Sequence, residues 1–279
     1  TNSVEEDRVL ARPVPAEEEG GEPKVAPKVY FRHPYEKEIE TFQPTEWQRR
    51  LPTREECGKH GAGGTLFPPQ GKMEGPDAVW IDDLEGLEAL VRRLERDDVQ
   101  EVAVDLEAHT YRSFEGFVCL MQISVRKSLD IQDIPEENHR FQKICVARDY
   151  LVDTLALRPH LSLLRPLFAS PAVIKVMHGA DSDVLWLQRD FGIYVVHLFD
   201  TGRAARALRL PSAGLAHLLA RSAGFAADKK HQLGDWRRRP LPEDMRAYAQ
   251  SDTHFLLDVY DALRRELEEA KDASVAAVT

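Results

Sequence analysis

An α/β fold, with a mixed β-sheet flanked by helices, is predicted for this 279-residue chain by three features. Apolar strand-like segments come first along the chain, alternating strand and helix patterns follow, and the composition is that of a packed soluble domain. Hydrophobic residues make up 43% and charged residues 30%.

Val79, Trp80 and Ile81 form a short apolar strand pattern, and Leu84, Leu87, Leu90, Val91 and Leu94 then recur at helical spacing. The segment EVAVDLEAH (101–109) alternates as a strand and ends in acids. FVCLMQISV (117–125) follows after a short turn, which predicts a hairpin. A third strand is expected at 149–154. Beyond it come a helix at about 161–168, a strand at 173–178, a helix at about 182–190 and a strand at 194–200. More helices follow, the last running from about 242 to 270. Residues 126–148 are long for a link between paired strands and read as an insertion or surface excursion. No internal repeat is visible.

The first 28 residues are rich in proline, glycine and glutamate and keep no period, so they predict an acidic segment with little structure of its own. Residues 29–76 remain irregular but carry aromatic anchors, among them Tyr30, Phe31, Tyr35 and Trp47, and read as an extended strap; a partner-binding peptide is the rival. Gly61 to Gly64 lack the following Lys-Ser/Thr of a phosphate loop and read as linker. The folded domain is expected over 77–271, with a tail at 272–279.

Composition narrows the function classes. No apolar run approaches the roughly 18 to 20 residues of a membrane span, and no signal-peptide pattern opens the chain. Three scattered cysteines exclude a disulfide scaffold and a cysteine zinc site, and point to a reducing compartment. A formal charge of −10 argues against coating nucleic acid by bulk attraction. It leaves room for an enzyme acting on nucleic acid through a carboxylate pocket, because bound cations would offset the charge locally.

Such a pocket has candidates. Asp105 and Glu107 lie two apart on a predicted strand and leave the same face of the sheet, whereas Leu106 points the other way. Two like charges there are costly to bury unless a cation lies between them; a frayed, solvated strand end is the bland alternative. Asp183 falls in the first turn of a predicted helix, where the dipole favours an acid. Asp181 reads as a plain helix-start acid. Tyr248 and Asp252, four apart in YAQSD, share a helix face, an ordinary pattern by itself. As a set, hard oxygen ligands without histidine or cysteine suit magnesium or manganese. Two such ions can drive a phosphodiester displacement.

DLEAHTYRSF, HGADSDVLWLQRDFG and YAQSDTHFLL, in this order, resemble the three exonuclease motifs of the RNase D family, the DEDD-Y group of 3′→5′ exonucleases. LFDT (198–201) and KKHQLGDWRRRPLP extend the likeness, which covers roughly residues 79–267 and is nearest the branch of eukaryotic nuclear exosome-associated exoribonucleases. HPYEKEI in the strap is also similar to that branch. The resemblance implies an RNase H-like fold. It implies that Asp105, Glu107, Asp183 and Asp252 hold two divalent cations, Mg2+ or Mn2+, and that Tyr248 orients the attacking water. It implies release of nucleoside 5′-monophosphates from the 3′ end of single-stranded RNA, a nuclear location, and exosome subunits and protein cofactors as partners.

RNA contacts are expected from Leu106, His109, Tyr111, Phe114, His178, Lys230, Gln232, Trp236 and Arg237, with Lys229 beside them. The plain alternatives are core packing for Phe114 and Trp236 and a solvated face for the Arg237–Arg238–Arg239 run. Ala108 and His231 depart from the family's usual histidine and tyrosine, which bears on substrate handling. The family's helical HRDC domain is not found after the last helix, so the chain is expected to be a fragment of a longer protein. Two rival functions stay open: a DNA exonuclease of the Werner-like branch, and a nuclease-like module that binds RNA or exosome proteins without cutting.

Overall fold

The computed structural model describes residues 34–43, 78–111, 113–128, 145–227 and 230–276. They divide between Gln43 and Pro44 into two units. In the first, helix α1 (Glu36–Glu40) lies within the expected strap and is closed by the Thr41 hydroxyl donating to the Lys37 carbonyl. The remainder of the strap, the acidic opening segment and Lys229 lie outside the described residues.

The second unit is built on strands β1 (Val79–Ile81), β2 (Glu101–His109), β3 (Phe117–Ser128), β4 (Cys145–Val152), β5 (Ile174–Met177) and β6 (Leu198–Asp200), in the order β1-β4-β3-β2-β5-β6. β2, β3 and β4 pair antiparallel, while β1 on β4 and β5 and β6 beyond β2 run parallel. The sheet is therefore mixed, as the sequence predicts.

Alternation along β2 gives the sheet two faces. Val102, Val104 and Leu106 pack against helix α2 (Leu84–Leu94), the 3-10 segment Arg158–Leu164 with helix α3 (Arg165–Ala169), and helix α4 (Asp181–Phe191). Ala103, on the other face, packs with Val176 against helices α5 (Thr201–Ala207), α6 (Leu215–Ala223) and α8 (Leu256–Ala276). Helix α7 (Glu243–His254) covers β3 and β4 on this second face, where Met245 and Ala249 meet Leu120 and Leu151. Burying apolar area on both faces supplies the main driving force for folding.

Several boundaries differ from the sequence reading. The long final helix is two helices: α7 serves the cluster at β3 and β4, α8 serves the one at β5, and Phe255 at the break packs on Phe225. The expected helix at 161–168 is a 3-10 segment followed by a short α-helix; Pro166, at the start of α3, has no N–H to continue a single ladder. The expected strand at 194–200 shortens to β6, because His197 adopts φ +62°. The expected insertion at 126–148 is in part ladder, since β3 and β4 stay paired out to Ser128 and Cys145. Among the described residues no helix is long and apolar enough to cross a membrane.

Candidate active site

The carboxyl end of β2 is where the acids gather. Asp105 pairs across the ladder with Gln122 and Glu107 with Leu120. The register then slips, so that Ala108 opposes Val118 and Cys119 is an extra residue on β3. Such a bulge bends the strand locally beside the acids. On the same sheet face, α7 brings Asp252 down onto this strand end. Oxygens of Asp105, Glu107 and Asp252 all lie within 4.8 Å of one another.

Asp183 arrives from the neighbouring parallel unit. β5 ends at Met177, the chain turns through Gly179 at φ +64°, and α4 begins at Asp181. A left-handed residue is needed at that turn, and glycine adopts it without a Cβ penalty. The turn is held by Asp200, whose carboxylate accepts from the backbone N–H of Gly179, Ala180 and Arg203, each at 3.0 Å. Asp183 is buried in the first turn, whereas Asp181 is exposed and paired with Arg203.

Electrostatics tie the four acids together. Burial, then the charge of Asp252, holds the Asp105 carboxyl well above the usual carboxylate range. Burial and the charges of Asp105, Asp252 and Asp183 push Glu107 up to about 10. Burial and the charges of Asp105 and Asp200 push Asp183 up to about 8, and burial pushes Asp252 up to about 7. Without a counter-charge the set therefore retains protons at neutral pH.

A divalent cation fits this donor set. The oxygens are hard, three of them converge from β2 and α7, and the set is poised to exchange protons for a positive ion. Gln122 adds an independent sign. It shares the face of Asp105, is fully buried, and neither atom of its amide has a hydrogen-bond partner among the described residues. A buried amide left unpaired costs about 1–3 kcal/mol, so such a group beside an acid cluster points to a polar species that belongs there.

Tyr248 lies one helical turn before Asp252 on α7, half-buried, its ring 5.9 Å from that of Trp236 and 5.8 Å from that of His231. The five residues of the proposed motifs thus reach the same end of the sheet from β2, α4 and α7.

The expected RNA contacts divide. Tyr111 and Phe114 stand exposed on the turn after β2, and Leu233, which the sequence reading passed over, is exposed on the loop before Trp236. Lys230, Gln232 and Arg237 are also exposed, with Lys230 3.8 Å from Asp244 and Arg237 gripping Asp235 through two nitrogens. His178 is half-buried, its Nδ1 2.9 Å from the Thr201 hydroxyl, and His109 is buried with Nδ1 3.9 Å from Asp235. Two expectations need correction. Leu106 packs into the core on the far sheet face, as its place between two outward acids requires. Trp236 is 1% exposed and fills the cluster beneath Tyr248, so it has no face left to offer a base. Arg239 is not on a solvated face either: it donates to Asp153 and to the Cys119 carbonyl at the bulge.

Comparison with known proteins decides the family. The model of the 3′-5′ exonuclease family matches residues 78–268. The chain belongs to that family. Exosome complex exonuclease RRP6 of Saccharomyces cerevisiae is 43% identical over 241 residues, covering 86% of this chain and 28% of that protein. Human exosome complex component 10 is 41% identical over 239 residues, 86% of this chain and 23% of its own length. The chain thus spans about a quarter of the curated relatives it matches. Among solved structures, the catalytic core of RRP6 from Trypanosoma brucei is 35% identical, covers 88% of this chain and 59% of that one, and superposes with a TM-score of 0.65. Escherichia coli RNase D, at 23% identity and a TM-score of 0.58, shares the fold, over 70% of this chain and 46% of its own. The exonuclease family has an RNase H-like fold, and this sheet is an example of it.

Proposed function

We propose that this chain is the catalytic domain of a metal-dependent 3′→5′ exoribonuclease, which removes nucleoside 5′-monophosphates from the 3′ end of single-stranded RNA. The observation that supports this most is the approach of the Asp105, Glu107 and Asp252 oxygens within 4.8 Å, with Asp183 coupled to them electrostatically. In this reading Asp105, Glu107, Asp183 and Asp252 hold two divalent cations, Mg2+ or Mn2+. Bound there, they would supply the positive charge that activates a water and stabilises the leaving oxygen of a phosphodiester displacement. The Tyr248 hydroxyl orients the attacking water and assists removal of its proton. The P–O3′ bond of the last linkage breaks as a P–O bond to the water oxygen forms. The 3′ oxygen of the penultimate nucleotide is the leaving group and takes up a proton from solvent to become the new 3′ hydroxyl, and the phosphate stays on the 5′ oxygen of the released nucleotide.

Exposed Tyr111, Phe114, Lys230, Gln232 and Arg237 are suited to meeting the RNA strand, the rings by stacking and the cations by phosphate contact. Similarity to exosome components supports a nuclear role in RNA processing with exosome subunits as partners. The test uses 5′-labelled and 3′-labelled single-stranded RNA with Mg2+, comparing the parent with Asp183→Asn. A ladder of shortening 5′-labelled products from the parent alone is the expected result; undiminished cutting by the variant would remove Asp183 from the site. Matched DNA in the same assay decides the polymer, and a preference for DNA would overturn the RNA reading.

A further inference from the structure

We infer that Asp149 is a positioning residue for Tyr248 and Asp252, the buried anchor that sets the rotation and depth of α7 over the sheet. This rests on the exoribonuclease reading and adds to it a residue outside the acid cluster.

Asp149 sits inside β4, opposite Ser124 of β3, and is 4% exposed. A carboxylate in that position must be fully hydrogen-bonded to be tolerated. Its Oδ1 lies 2.7 Å from the Ser124 hydroxyl. Its Oδ2 accepts from Gln250 Nε2 and from His254 Nδ1, each at 2.7 Å. Ser124 Oγ lies a further 2.7 Å from the Thr253 hydroxyl. Three side chains of one helix, Gln250, Thr253 and His254, thereby converge on two polar residues of adjacent strands. The distances are those of strong, charge-assisted bonds.

The placement along α7 gives this anchor its consequence. Asp252 lies between the gripped residues, and Tyr248 lies two positions before the first of them. Gln250 and His254 are one turn apart, so fixing both to one carboxylate leaves the helix little freedom to roll or slide. Apolar packing of Met245 and Ala249 holds α7 on the sheet but does not set its azimuth with this directionality. Any roll would carry the Asp252 carboxylate away from Asp105 and Glu107.

Serine, aspartate and histidine together also invite comparison with an acyl-transfer triad. Here the serine hydroxyl meets the carboxylate rather than the imidazole, so no base stands ready to take its proton, and the group is buried. The arrangement suits support, not nucleophilic attack.

The experiment compares the parent chain with Asp149→Asn, His254→Phe and His254→Gln. The first variant turns an acceptor into an amide, the second removes the donor at position 254, and the third restores one. Asp261→Asn is the control, because Asp261 is a buried carboxylate bonded to Arg126 away from the acid cluster. Each is examined by circular dichroism, by kcat and KM on single-stranded RNA, and by Mn2+ titration followed calorimetrically. Asp149→Asn and His254→Phe should lower kcat by ~10–100-fold and weaken Mn2+ by ~10-fold, leaving KM within ~3-fold of the parent. His254→Gln should recover most of kcat, and Asp261→Asn should lose thermal stability with kcat and Mn2+ affinity unchanged. A folded Asp149→Asn protein with parental kcat and Mn2+ affinity would overturn the inference. If Asp149→Asn does not fold, equal kcat for His254→Phe and His254→Gln would do so instead. An inactive parent would refute the exoribonuclease reading, while the Mn2+ titrations would still judge the anchor.

Discussion

Replacing Asp252 by asparagine should make the cation-free protein more stable at pH 8 while destroying its activity. The Asp252 carboxyl is 6% exposed, and burial lifts it from 3.8 to about 7. A raised carboxyl contributes stability that is complete below its unfolded value near pH 4 and is lost as pH climbs through about 7. At about 1.4 kcal/mol per unit, the cost above pH 7 has a ceiling of about 4 kcal/mol. Asparagine has nearly the same shape and no charge to desolvate, so it recovers part of that amount. A gain of about 2 kcal/mol would raise Tm by roughly 4–8 °C in a domain of this size. Melting curves in EDTA at pH 4 and pH 8 measure it: the two proteins should melt nearly together at pH 4, where Asp252 holds its proton in the folded chain and in much of the unfolded population, and separate at pH 8. Adding Mn2+ should reverse the order, because a ligand at ~100-fold excess over its Kd stabilises the parent by about 2.7 kcal/mol. Cleavage by the variant should fall by roughly 100-fold or more. An Asp252→Asn protein that melts lower than the parent at pH 8 in EDTA would refute the reasoning. It would mean that the carboxylate is paid for by partners other than a cation.

Gln122→Leu should raise Tm in EDTA by a few degrees, since it deletes an unpaired buried amide worth about 1–3 kcal/mol, and should weaken Mn2+ binding in calorimetry. Asp200→Ala removes an acceptor for three backbone N–H groups and should cost about 1–2 kcal/mol in denaturant melts, with loss of cleavage as the turn before Asp183 loosens. Phe114→Ala should leave Tm unchanged and raise KM for RNA by roughly 5–100-fold if a base stacks on the ring, a contact worth about 1–3 kcal/mol. Arg239→Lys gives up the fork around Asp153 and the bond to the Cys119 carbonyl, and should lower stability by about 1–3 kcal/mol.

Whether a feature was legible in the sequence depended on the distance over which its cause acts. The face shared by Asp105 and Glu107 follows from the two-residue period of a strand, and the same period sends Leu106 into the core. Tyr248 and Asp252 share a helix face by the four-residue rule. Pairing β2 with β3 needed only two apolar segments and a short turn. The division of the last helix at Phe255 has no glycine or proline to announce it. It is set by which cluster each half can reach, and that depends on where β5 and α6 come to lie. Trp236 reads equally well as a base-stacking ring or a core ring until the packing beneath Tyr248 is known.

The support of the acids was the least visible, for a related reason. Asp149 and Asp200 are ordinary acids in strand sequences, and nothing nearby in the chain marks either as an anchor. Their partners stand at sequence distances of 101 for Gln250 and 21 for the Gly179 N–H. Yet the four clustered carboxylates repel one another and resist burial, so the cluster cannot hold its own geometry. Rigidity must come from groups whose charge is already satisfied: Asp200 by backbone N–H groups and Asp149 by side chains of α7 and Ser124. The fold therefore uses two kinds of buried acid. One kind is saturated and fixes the elements; the other is left underbonded and ready for cations. Exchanging the roles would fail on both counts, because a carboxylate that already accepts three hydrogen bonds has little left to offer a cation and an underbonded one cannot anchor a helix.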